Sequence, residues 1–216
     1  MNFSSSVETK AATQRRMLLE MARRRVKPGT GSAISLLEQR MAVHKWPDLS
    51  PILKDIPWAV IGGVATRAYM PERATQDLDI LIAGSDSKKA RRRLSSAGFV
   101  YRHNLTIGGG AWQTPEGQSL DVVEINAPWL SEALKQLQTD PQGLPVLSLP
   151  YLVLLKFQAS RLQDLADISR MLGLASAEDR QATRHVFAKW QPDELDDLES
   201  LITLGDLELG RDLSQG

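Results

Sequence analysis

The hydrophobic pattern is most regular over residues 58–82. Trp58-Ala-Val-Ile61 is an unbroken apolar run, Gly62-Gly63 interrupts it, and Leu78, Ile80 and Ile82 later alternate with Asp77, Asp79 and Leu81. The pattern predicts a buried strand, a tight glycine turn, a short helix, a loop and a second strand. Upstream, residues 8–25 are rich in helix formers, with Leu18, Leu19, Met21 and Ala22 in one apolar patch. Arg23, Arg24 and Arg25 suit the negative end of that helix. Residues 1–6 show no pattern and are expected to be disordered. Lys27-Pro-Gly-Thr-Gly-Ser32 is a break, Ser32 is a candidate cap for a second helix to about Val43, and a short helix is expected near Leu49–Ile56.

Downstream, Ser85 or Asp86 caps a helix to about Ala97, and Gly98 ends it. Phe99–His103 reads as a strand, Gly108–Gly110 as a hairpin turn, Ala111–Thr114 as a short strand and Pro115–Gln118 as a second turn. Leu120–Ile125 has strand composition. Leu120, Val122 and Glu124 share one face of it, and Asp121, Val123 and Ile125 the other. A sheet covered by helices on one side and open to a ligand on the other accepts both sets. Pro128 opens a helix to about Leu137, a proline-containing loop follows, and the chain reads as helical from Pro150 onward, with breaks near Gly173 and Gln191-Pro192. The fold class expected is therefore α+β. Residues 1–55 form an N-terminal helical arm, 56–148 an α/β core, and 149–216 a helical C-terminal portion.

Composition adds bounds. A chain of 216 residues, 42% hydrophobic and 24% charged, can bury one sizeable core. The net charge of zero gives no push toward nucleic acid or membrane. The distribution is uneven: residues 1–60 hold ten Lys or Arg and five Asp or Glu, and residues 191–216 hold eight acids and one Arg. That asymmetry fits two solvated helical faces of opposite sign, or a basic N-terminal face that helps hold RNA or a nucleotide. Arg91-Arg-Arg93 reads more simply as a solvated helix face. With no cysteine, disulfides, thiolate metal sites and a cysteine nucleophile are excluded. That fits a cytoplasmic location, as does the lack of a signal-peptide pattern. The longest apolar stretch, Val146–Phe157, is too short to span a bilayer.

The chemistry concentrates in Gly62-Gly63, then thirteen residues, then Asp77-Leu-Asp79, with Asp121 on a later strand. Residues two apart on a strand point the same way, so Asp77 and Asp79 project together. Like charges so close repel unless a cation sits between them, and such oxygen-rich sites suit Mg2+ or Mn2+. Glycines after a buried strand let backbone N–H groups approach a phosphate. Asp121, inside a Val and Ile strand, is the best third carboxylate; two metals can clamp the attacking and leaving oxygens of a phosphoryl displacement. Glu124 faces away. His44, His103 and His185 share no ligand spacing.

On Ile61-Gly62-Gly63, Asp77-Leu-Asp79 and Asp121 the sequence resembles the nucleotidyltransferase, or polymerase-beta-like, superfamily. Glu72–Asp79 and the helical segment Pro150–Ile168 make it most similar to the AbiEii-type toxin nucleotidyltransferases of abortive-infection systems. The resemblance spans about residues 56–172. It implies a small mixed sheet flanked by helices, and transfer of a nucleoside monophosphate from an NTP to a hydroxyl with release of pyrophosphate. Asp77 and Asp79 would bind magnesium, and Asp121 would bind the catalytic metal and help deprotonate the acceptor. Gly62 and Gly63 would cradle the triphosphate, Lys156 would reach its β- and γ-phosphates, and Asp164 would orient Lys156. Arg73 and Thr75 lie where they would contact phosphate or buttress the metal loop. Val64 stands where many relatives carry a hydroxyl. The acceptor implied is a tRNA, a protein or a small molecule, in a toxin or phage-defence role. The competing readings are a catalytically silent antitoxin-like or scaffold protein, and a housekeeping RNA nucleotidyltransferase. Lys156 also reads as a snorkelling helix lysine, and Asp164 and Asp167 as surface acids.

Overall fold

A computed structural model describes residues 3–25, 46–71 and 75–210. The chain divides into two compact units, residues 37–148 and residues 1–36 with 149–216. The predicted helix at 32–43 lies outside the described residues.

The first unit is built on a mixed seven-stranded sheet. Its strands are β1 (Trp58–Ile61), β2 (Asp77–Ala83), β3 (Val100–Asn104), β4 (Gly109–Gln113), β5 (Ser119–Ile125), β6 (Leu137–Thr139) and β7 (Pro145–Leu147). The order is β3-β4-β5-β2-β1-β7-β6. β2 pairs with β5, and β1 with β7, in parallel; the other neighbours are antiparallel. The two central strands are apolar on both faces: Leu78, Ile80, Leu81, Ile82, Leu120, Val122 and Val123 are all buried. The described helices are α2 (Gly62–Ala65), which runs on into a 3-10 turn at Thr66–Ala68, α3 (Ser87–Ser96) and α4 (Leu130–Ala133). Arg91 of α3 donates to Glu124 of β5 at 3.3 Å, so α3 covers the face of Leu120, Val122 and Glu124. Gly98, at φ +86°, turns the chain out of α3.

The sheet is mixed and helix-flanked as expected, and two strands that the pattern does not predict extend it. The stretch expected as a helix to Leu137 and then a loop contains only the single turn α4, followed by the hairpin β6–β7. Asp140 makes that hairpin. Its carboxylate accepts from the backbone N–H groups of Gln142 and Leu144, both at 2.8 Å, and from buried Arg67, whose Nε lies at 2.7 Å. Strands of three residues are too short to show alternation. Residues 49–56 form successive turns instead of a helix.

The second unit is helical: α1 (Phe3–Arg25), α5 (Leu149–Ala159), α6 (Leu162–Leu174), α7 (Ala177–Trp190) and α8 (Leu195–Glu208). α1 begins at Phe3, ahead of the expected start, because a formed helix propagates through serines at little cost. Arg15 fixes α1 to α8: its Nε donates to Asp197 at 3.0 Å, and its guanidinium lies 3.9 Å from the Phe157 ring centroid. α6 and α8 cross at two glycines. A Cβ built on Gly205 would sit 2.2 Å from the Ser169 carbonyl oxygen, so any larger residue drives the helices apart. Among the described residues, no helix is long and apolar enough to cross a membrane.

Candidate active site

The sheet register assembles the carboxylates. Asp79 pairs with Asp121 across the parallel β2–β5 ladder, and Asp77 with Ser119. Paired residues share a face, and Asp77 lies two residues before Asp79, so all three acids project from one side at the start of both strands. Asp77 is exposed, while Asp79 and Asp121 are half-buried. On the other flank Asp79 pairs with Ile61, the last residue of β1. This brings the diglycine bend against the acids. Gly62 has φ +65°, and a Cβ built on it would lie 1.9 Å from Asp79 Oδ2. Only glycine allows the backbone to pass this carboxylate.

Burial pushes the Asp121 carboxyl above its ordinary value, the Asp77 charge pushes it the same way, and His103 opposes both. His103 arrives through a feature invisible in the sequence. The register of β3 on β4 shifts between Tyr101 and His103, so Arg102 is an extra, bulged residue. The shift sets His103 opposite Ala111, which pairs with Asp121. One row therefore reads His103, Ala111, Asp121, Asp79, Ile61 across five strands. The histidine that spacing left unassigned stands at its end, and a β-bulge is a common means of re-aiming a side chain beside a site.

The other predicted residues fall as follows. Gly63 lies in α2, and its carbonyl accepts from the buried Thr66 hydroxyl at 2.7 Å. Val64 is fully buried, so that position faces the core rather than a ligand. The Thr75 hydroxyl donates to the Asp77 carbonyl at 3.3 Å and braces the entry to β2. Arg73 lies outside the described residues. Lys156 belongs to the helical unit. Its Nζ is 3.3 Å from Asp164 Oδ1 and 2.8 Å from Asp167 Oδ2, and all three side chains are buried. Arg161 adds a contact to Asp164 at 2.6 Å. Asp164 and Asp167 are thus buried partners of the lysine rather than surface acids. Asp167 follows Asp164 by three residues on α6, a spacing that places both on one helical face.

Among the described residues, no three acidic or histidine side chains converge closely enough to enclose a metal ion. The three aspartates are nevertheless hard oxygen donors on adjacent positions of one face, the chemistry that Mg2+ and Mn2+ take.

Comparison with known proteins finds no matching family profile and no matching curated protein. Several solved structures are similar. The antibiotic-resistance factor ANT(2″)-Ia, in complex with adenylyl-2″-tobramycin, aligns with a TM-score of 0.42 and 13% identity over 72% of this chain and 93% of its own. The lincosamide antibiotic adenylyltransferase LnuA, bound to lincomycin, gives 0.44 and 16% over 59% and 92%. The CD-NTase CdnG of Bradyrhizobium diazoefficiens, bound to GTP, gives 0.25 and 13% over 88% and 74%. At such scores and identities, the activity has to be argued from this chain's own site.

Proposed function

We propose that the protein is a nucleotidyltransferase that moves a nucleoside monophosphate from an NTP to a hydroxyl acceptor. The observation that supports this most is the register that sets Asp79 beside Asp121, with Asp77 on the same face and Gly62 against Asp79. Asp77, Asp79 and Asp121 would hold Mg2+ or Mn2+, which when bound neutralises phosphate charge and polarises the phosphoryl group. The backbone ladder sets Asp79 and Asp121 on neighbouring strands, with Asp77 two residues from Asp79 on the same face.

In the reaction, the acceptor oxygen bonds to the α-phosphorus, the bond from that phosphorus to the bridging oxygen breaks, and pyrophosphate leaves. Asp121, set beside Asp79 by the ladder, would take the acceptor's proton. The backbone at Gly62 and Gly63 is the proposed cradle for the triphosphate. Thr75 steadies the loop that delivers Asp77. Roles for Arg73, Lys156 and Asp164 toward the nucleotide belong to the same proposal and rest on the family resemblance, as does a toxin or phage-defence setting. The silent-module alternative predicts loss of one of the three carboxylates, and all three are present.

The test is incubation with each labelled NTP and Mg2+, together with total RNA, lysate protein or an antibiotic bearing hydroxyl groups. Label is expected in one fraction. It should disappear in Asp77→Ala and Asp79→Ala, with the circular dichroism of both variants unchanged. Undiminished labelling by both variants would defeat the assignment.

A further inference from the structure

Helix α3 carries Lys88, Lys89, Arg91, Arg92 and Arg93 and no acid. Its first turn, where the helix dipole favours negative charge, holds two lysines instead. Lys88 and Arg92, and Lys89 and Arg93, are like charges four residues apart, an arrangement that disfavours the helix by itself. Part of the charge is answered within the fold. Arg91 pairs with Glu124 and Arg93 with Asp55, both at 3.3 Å, and Lys89 donates to the Asp55 carbonyl at 3.2 Å. Among the described residues, no acid pairs with Lys54, Lys88 or Arg92.

Lys54 and Arg92 border a concavity. An open groove of about 460 Å3 runs beside the C-terminal half of α3, with Pro51 and Ile52 as apolar wall and Lys54, Arg92, Arg93 and Ser96 as polar lining. At 1.5 Å rise per residue, Lys88 and Arg92 stand about 6 Å apart along the helix, of the order of one phosphate step in an extended strand. The other flank of α3 faces the sheet edge. The Arg91 guanidinium lies 5.5 Å from the Tyr101 ring centroid, and Tyr101 is 39% exposed on β3, its ring packed edge-on to Trp112. Its bulged neighbour Arg102 is held by Gln113 and is exposed as well.

We infer that this groove and the exposed cationic face of α3 beside it bind the phosphodiester backbone of single-stranded RNA. Lys54, Arg92 and Arg93 meet the phosphates, with Lys88 one helical turn from Arg92, and the Pro51–Ile52 wall takes a sugar or base face. Binding of this kind needs no NTP, so it stands or falls separately from the transfer reaction; joined to that reaction, it makes RNA the acceptor.

The experiment is fluorescence anisotropy of a labelled 20-nucleotide single-stranded RNA with the full chain, without NTP, over a series of salt concentrations. A second arm uses labelled poly-glutamate of equal charge. The comparison variant is Lys54→Gln with Arg92→Gln; both residues are surface cations outside the carboxylate row, and circular dichroism checks the fold. Expected are RNA binding by the native chain, weakening of about tenfold or more in the variant, and a log–log salt slope shallower by about two, one for each cation removed from a phosphate. Tyr101→Ala, on the other flank of α3, should leave affinity and slope unchanged. An unchanged affinity and slope in the double variant would overturn the inference. So would absence of RNA binding, or poly-glutamate bound as tightly as RNA, which would mark the groove as a site for acidic protein.

Discussion

Replacing Gly62 by alanine gives the sharpest reading of the site, because the fold supplies its own control. Two costs are expected at Gly62. An L-residue at positive φ costs about 1–2 kcal/mol, and the new Cβ must displace a carboxylate. The Asp79 oxygen stands 1.9 Å from the Cβ position, whereas ordinary contact begins at 3.4 Å. The side chain must therefore retreat by about 1.5 Å, the difference of those two distances, which forces it off its rotamer at a further cost of about 1 kcal/mol. Gly143 also has positive φ, at +86°, but a Cβ there meets nothing within 4 Å. Gly143→Ala thus carries the backbone cost alone. Urea unfolding should show Gly62→Ala less stable than Gly143→Ala by about 1 kcal/mol. Function separates them further. Misplacing a reacting group by about 1 Å costs on the order of a hundredfold, so Gly62→Ala should lose label transfer by at least that factor and bind Mg2+–NTP more weakly in calorimetry. Gly143→Ala should match the native protein in both. Equal stability of the two variants, with transfer retained in Gly62→Ala, would refute the close approach of Gly62 and Asp79.

Other consequences can be measured. The Asp121 carboxyl is raised in the folded state, so between the ordinary carboxylate value and the raised one the folded chain holds a proton that the unfolded chain has lost; stability of the metal-free protein should fall as pH rises through that window. Asp121→Asn should remove the fall, raise the melting temperature at neutral pH and abolish transfer; a variant with the same pH dependence as the native chain would contradict this. Lys156→Met leaves Asp164 and Asp167 buried without their ammonium, and chemical unfolding should record a loss of about 3–5 kcal/mol; an undiminished stability would show that the lysine is not needed to hold the pair. Gly205→Ala pushes a methyl into the Ser169 carbonyl and should cost about 1–3 kcal/mol by thermal unfolding, with Mg2+–NTP affinity unchanged; a neutral effect would mean that α6 and α8 do not cross so closely.

The parts of the fold legible in the sequence are those with sustained patterns. β1, β2 and β5 have apolar runs long enough to identify, and the helices after Pro150 have both length and breakers. The placement of Asp121 beside Asp79 follows from alternation within each strand, but only the ladder decides which residue faces which. Other features escaped for definite reasons. β6 and β7 are too short for a period, and their turn is held by Arg67, far away in sequence. The β3 bulge changes the phase of one strand by one residue, so His103 joins the row of the acids although spacing along the chain gives it no partner. The pairing of Asp164 with Lys156 is implied by the family resemblance, whereas the burial of that pair, and Asp167 as its third member, depend on what packs around them. The groove beside α3 was unreadable likewise: Lys54 joins Arg92 and Arg93 only through the turns at 49–56.

The parallel pairing of β2 with β5 has a consequence for how the chain finds its structure. Beyond their first three residues both strands are apolar on both sides apart from Glu124, so hydrophobicity does little to resist a neighbour displaced by one position. A displacement of that kind would turn Asp77 and Asp79, or Asp121, inward among Leu78, Ile80, Leu120 and Val122, where unpaired charge is severely penalised. The acids proposed for chemistry therefore also proofread strand alignment during folding, and neutral replacements should leave a chain that is calmer at its surface yet more prone to misaligned, aggregating forms.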